Sequence, residues 1–87
     1  MAGPNRTTIR EVLVARLQEE FPRFDRAAPD DLPLVEVIDS AGIEQLVLLL
    51  IEEFGVQIKD SELVRANLGT VTRLVSFVER KLNVARV

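Results

Sequence analysis

Six consecutive apolar residues, Leu46-Val47-Leu48-Leu49-Leu50-Ile51, lie near the middle of this 87-residue chain. The run is far too short to cross a membrane, which takes about 20 apolar residues in a helix. It is also too wide for one buried stripe, because six helical residues sweep more than a full turn of about 3.6 residues. A helix built on it must bury one side and either pack or present the other. The surrounding stretch, "VIDSAGIEQLVLLLIEEFG" from Val37 to Gly55, sets its limits. Asp39-Ser40 stands at a helix start, and Gly55 suits the C′ position after the last turn. We therefore expect a helix from Ser40 to Phe54, with Ile43, Leu46, Val47, Leu50 and Phe54 facing the core. Ala41, Glu44, Leu48, Ile51 and Glu52 then fall on another face, with Leu49 between.

The rest of the chain reads as helical too. Thr8 and Glu11 fit a capping box, and Ile9, Val12, Leu13, Leu17 and Phe21 follow at helical spacing until Pro22 stops the helix. A long loop from Pro22 to Asp39 carries Pro22, Pro29 and Pro33. Phe24, Leu32, Leu34, Val35 and Val37 are spaced to pin it to a core, so it is expected to be ordered. Val56 and Ile58 read as a short extended link that tucks in, and Asp60 as the cap of a short turn through Leu63 and Val64. Gly69-Thr70 opens the last helix, with Val71, Leu74, Val75, Val78 and Leu82 as its stripe. Arg73, Glu79, Arg80 and Lys81 face water, and "NVARV" is a frayed tail. No strand pair or internal repeat is visible. The expected fold is all-α: a small four-helix bundle of three main helices plus one short one, in a single domain over 1–87 with an ordered core about 7–82.

Composition narrows the chemistry. The chain has no histidine, cysteine, tyrosine or tryptophan. A Ser-His-Asp triad, a His-ligated metal site and a disulfide are all ruled out, and the usual general base at neutral pH is missing. An autonomous hydrolase built on Ser40 would have no histidine to activate its nucleophile, and we expect a non-enzyme. Residues 30–58 hold seven acidic side chains and no basic one. That segment repels phosphate backbones, which argues against nucleic-acid binding, and it is either a solvated face or a docking surface for basic partners. The polar N-terminus "MAGPNRTTIRE" has no secretory pattern, so cytoplasm is the default compartment. Starting at Met1 so close to helix one, the chain is expected to be a discrete protein.

Ser40 is the residue in question. A serine before an amphipathic run is ordinarily a helix cap. Here a long loop delivers it to the most apolar helix, the next residues Ala41 and Gly42 are small, and the helix dipole favours an attached phosphate. Without a histidine this serine cannot activate itself, so any chemistry must be installed by another protein.

With these residues in place, the chain resembles the acyl and peptidyl carrier proteins. "IDSAGIEQLVLLLIEEFGVQI" is similar to the family's Asp-Ser followed by an apolar helix ending "EEFG-x-x-I". "NLGTVTRLVSFVERKL" resembles its Thr-Val start of the last helix. The likeness covers about Leu32 to Leu82, with helix one fitting in position. It implies that Ser40 carries a covalent 4′-phosphopantetheine arm, whose thiol holds acyl or aminoacyl intermediates as thioesters. It also implies that Asp39 helps a phosphopantetheinyl transferase and its magnesium ion place the reacting groups. Partner enzymes would dock on Ala41, Glu44, Gln45, Leu48, Ile51 and Glu52. Those partners would be an acyl-activating ligase or acyltransferase and downstream synthase enzymes, serving a monomeric carrier.

The chain departs from the family at several positions. Val37 replaces a frequent glycine, Ala41 a large apolar residue, and Gly42, Gln45 and Ile51 positions that are acidic in fatty-acid carriers. The resemblance therefore leans to discrete carriers of specialised metabolism, such as polyketide, nonribosomal peptide or antibiotic biosynthesis. The competing reading is a non-catalytic helical interaction module in which Ser40 is only a cap and the apolar run is a groove-binding face.

Overall fold

A computed structural model describes residues 5–85, with side chains through residue 83. Helix α1 spans Arg6–Glu20, α2 Ser40–Phe54, α3 Arg65–Leu68 and α4 Val71–Ala85; single 3-10 turns lie at Leu34–Glu36 and Asp60–Glu62. No strand occurs among the described residues. The structure is thus all-helical, with three helices of 15 residues and one of four. The expected frayed tail does not begin at Asn83, because α4 continues to Ala85; Arg86 and Val87 lie outside the described residues.

Helix α1 begins earlier than the capping box suggested. Asn5 is the N-cap, and its side chain accepts from the Thr8 N–H at 2.8 Å. Asparagine caps as well as threonine does, so the helix gains a turn ahead of Thr8. At the other end Phe21 is the C-cap, as Pro22 requires. The α4 start also follows the sequence, with Thr70 Oγ1 accepting from the Arg73 N–H at 3.1 Å.

The core gathers Ile9, Leu13, Val14, Leu17 and Phe21 of α1 and its exit, Leu46, Leu49 and Leu50 of α2, and Val71, Leu74, Val75, Phe77 and Val78 of α4. Side chains from the long connection close it, namely Phe24, Leu34 and Ile38. Val14, Phe77 and Ile38 are core members that the expected stripes omitted. Val35, expected as a pin, is 62% exposed, because the 3-10 turn carries Leu34 inward and Val35 outward. Leu32 and Val37 are half-buried. Val56 is buried and Ile58 packs at the core edge, as the tucked link implied.

The stretch after Ile58 differs from expectation in detail. Two short turns form in place of one capped by Asp60. Lys59 stands at the N-cap of the first, and the Glu62 carboxylate accepts from the Lys59 N–H at 2.9 Å. Helix α3 then leads to α4, and Leu63 and Val64 remain exposed.

Two backbone bonds stitch the long connection to the α3–α4 junction. The Thr72 N–H donates to the Asp30 carbonyl at 3.1 Å, and the Leu34 N–H to the Gly69 carbonyl at 2.9 Å. The loop that ends at Asp39 is therefore ordered by backbone pairing as well as by apolar anchors.

Candidate functional site

The start of α2 is built by Asp39, not by Ser40. Asp39 has extended backbone angles, and its Oδ1 accepts from the Gly42 N–H at 2.8 Å. It is the N-cap, and Ser40 is the first residue inside the helix. This corrects the expectation of Ser40 as cap. Either residue type can cap, and the one lying just outside the helix takes the role. The consequence is chemical. Ser40 is exposed, and none of the side-chain hydrogen bonds among the described residues uses its hydroxyl. A Ser40 Oγ relieved of capping is free to be substituted.

Gly42 explains how the loop meets the helix. It is buried, and a Cβ there would lie 2.8 Å from Ile38 Cγ2 and 3.1 Å from Phe21 Cε1. Only a glycine lets the first turn of α2 press against the loop and the end of α1. The contact turns α2 so that Gly42, Leu46, Leu49 and Leu50 face inward. The expected core stripe is corrected in part: Leu46 and Leu50 are core, Ile43 and Phe54 are half-buried and pack against it, Val47 is half-buried, and Leu49 is core. A groove of about 390 Å³ runs beside this turn, lined in part by Phe21, Arg23, Val37, Asp39, Ala41 and Gln45.

The six expected docking residues divide into two groups. Ala41, Glu44, Leu48 and Ile51 are exposed and spaced three, four and three residues apart, one face of the helix. Leu48 is 53% and Ile51 39% exposed. By helical periodicity Ser40 stands above Glu44 and Ile51 on that face. Gln45 and Glu52, in contrast, turn toward α1. The Gln45 amide donates to Glu20 Oε2 at 2.7 Å, and Glu52 lies 3.5 Å from Arg16. Arg16 also pairs with Glu20 at 3.2 Å and with Glu53. Bonding from Gln45 and then from Arg16 holds the Glu20 carboxyl below its ordinary range, while Glu53 and Glu20 raise Arg16. Gln45 and Glu52 thus help join α1 to α2, a role that no local pattern could reveal because it joins helices 25 or more residues apart.

The acidic middle segment is also divided. Arg10 grips Asp30 with two bonds, Nε to Oδ2 at 2.6 Å and an Nη to Oδ1 at 2.7 Å. Asp31, Glu36, Asp39 and Glu44 make no ion pair among the described residues and are exposed. Among the described residues no group of three or more His, Cys, Asp or Glu side chains converges to hold a metal ion. No helix among them is long and apolar enough to cross a membrane. Comparison with protein-family models, with curated proteins and with solved structures returned no match.

Proposed function

We propose that this chain is a carrier protein bearing 4′-phosphopantetheine on Ser40. The observation that supports the reading most is the separation of roles at the start of α2. Asp39 caps the helix and Ser40, next to it, presents an unengaged hydroxyl to solvent. A capping serine would be occupied by the helix, whereas this one, beside the cap, is open to covalent substitution by an external enzyme. The residues present fit the group: the exposed Ser40 Oγ would hold it, and the first turn of α2 favours its phosphate charge. The attached arm would supply a thiol for thioester formation. The protein's own part is to orient the serine and to be recognised.

In this reading α3 is the short third helix of a four-helix bundle, and the connection from Phe21 to Asp39 is the family's long first loop. Ala41, Glu44, Leu48 and Ile51 form the face offered to a phosphopantetheinyl transferase, an acyl-activating ligase or acyltransferase, and downstream synthases, with Gln45 and Glu52 along its edge. The carrier works as a cytoplasmic monomer in specialised metabolism, without nucleic acid or membrane. The second reading, a helical interaction module, draws on the exposed Leu48 and Ile51 alone, and it no longer has a capping role for Ser40. Incubation with coenzyme A and a broad-specificity phosphopantetheinyl transferase, followed by intact-mass measurement, separates the two. A carrier gains one arm per chain. A chain left unmodified, while a known carrier is labelled alongside it, is not a carrier.

A further inference from the structure

We propose that Arg10 is a positioning residue for Ser40, acting from α1 through the long connection. The inference rests on Ser40 being the modified residue. A continuous series of fixed contacts joins the two. The Arg10 fork binds both oxygens of Asp30 at 2.6 and 2.7 Å. The Asp30 carbonyl accepts from the Thr72 N–H at the start of α4, at 3.1 Å. Four residues on, the Leu34 N–H donates to the Gly69 carbonyl at 2.9 Å, and the Leu34 carbonyl accepts from Val37 at 3.0 Å and Ile38 at 2.8 Å. Ile38 in turn fills the space against Gly42, and Asp39 caps Gly42. The chain is thus pinned at Asp30, Leu34 and Ile38, and Ser40 is two residues beyond the last pin.

Arginine suits the first pin because its planar fork matches the carboxylate and fixes direction as well as distance. Asp30 is the only acidic residue of the connection that this fork holds, and its backbone carbonyl is spoken for by α4. Releasing Arg10 frees the Asp30 side chain while leaving the apolar core intact. The segment before Ser40 then samples more positions, and a smaller fraction of molecules presents the serine in the place a modifying enzyme needs. Such a loss of competent fraction weakens apparent binding without changing the step that follows.

The test compares wild type with Arg10→Ala, Arg10→Lys and Asp30→Asn, and with Arg6→Ala as a control. Arg6 pairs with Glu79 at 2.8 Å and bonds to Ser76, so its truncation removes an α1–α4 ion pair while leaving the Arg10–Asp30 bonds in place. Amide hydrogen exchange is read at Leu34, Ile38 and Thr72, and KM and kcat are read with the apo protein as substrate of a phosphopantetheinyl transferase. Exchange at these amides should quicken about tenfold in Arg10→Ala and Asp30→Asn, less in Arg10→Lys, and not in Arg6→Ala. KM should rise about three- to tenfold in the same order with kcat retained. Exchange in Arg10→Ala that matches Arg6→Ala overturns the proposal, as does quickened exchange with an unchanged KM. A wild-type chain that the transferase leaves unmodified overturns the carrier reading itself. The exchange data then still decide whether Arg10 fixes the segment before Ser40.

Discussion

Helices α2 and α4 have the same length, 15 residues, yet they dispose of their apolar side chains differently. Helix α4 buries Val71, Leu74, Val75, Phe77 and Val78, and its described side chains include no large apolar residue in the open. It lies against α1, α2 and α3, so several of its sides have a neighbour. Helix α2 meets α1 and α4 and leaves Leu48 and Ile51 in water. The lesson is that apolar content does not measure burial. The surplus on α2 is on the side that carries Ser40, where an apolar surface suits recognition more than folding.

Truncation gives the largest expected contrast. Leu46→Ala in α2 and Leu74→Ala in α4, both fully buried, should each cost roughly 2–5 kcal/mol in chemical unfolding. Leu48→Ala should change stability by no more than about 0.5 kcal/mol and slow loading by a cognate ligase. A Leu48→Ala variant as unstable as Leu46→Ala would erase the difference between the helices.

The glycines inside and just after α2 sharpen it further. Gly42→Ala should cost about 1–3 kcal/mol in overpacking against Ile38, less the roughly 1 kcal/mol by which alanine favours a helix. Gly55→Ala meets no atom within 4 Å, but φ is 65°, so a left-handed penalty of about 1–2 kcal/mol applies. Crystallography separates the two causes, since only the first variant should displace Ile38.

Smaller still is the cap. Asp39→Ala should lose about 1 kcal/mol, whereas Asp39→Asn, which keeps an accepting oxygen, should lose little. Ser40→Ala should stay within about 0.5 kcal/mol of wild type, because the serine is not the cap. If Asp39→Asn is stable yet slow to load, the charge of Asp39 matters to modification separately from its capping.

The smallest effect is with pH. Hydrogen bonds from Arg10 hold the Asp30 carboxyl below its ordinary range, and Gln45 with Arg16 does the same for Glu20. A carboxyl depressed in the folded state stabilises above its unfolded pKa and loses that contribution as pH falls through the folded one. The melting temperature should therefore drop on acidification below the ordinary carboxylate range. Arg10→Ala should flatten that drop, since Asp30 then no longer gains from folding.

Much of this was readable along the chain, and what was not has a physical reason. The stop at Pro22, the Gly55 terminus and the Thr70 start depend on local backbone chemistry, so they appear where the residues place them. Helix periodicity showed that the Leu46–Ile51 run could not be wholly buried. It could not say which side faces in, because Gly42 sets that orientation through contacts with Ile38 and Phe21. The Asp39-Ser40 pair was visible, but either residue can cap, and one position of helix onset decides between them. Arg10 with Asp30, and Gln45 with Glu20, join distant segments and leave no local trace.

The central claim is that Ser40 carries the arm, and peptide mapping after modification tests it most directly. The chain has three serines, Ser40, Ser61 and Ser76. Ser61 is also exposed, and Ser76 accepts a hydrogen bond from Arg6, so exposure alone does not choose among them. Wild-type protein treated with coenzyme A and a phosphopantetheinyl transferase should yield one modified peptide, containing Ser40, and Ser40→Ala should yield none while melting like wild type. An arm found on Ser61 or Ser76, or a wild-type chain unmodified beside a labelled control carrier, would contradict the account.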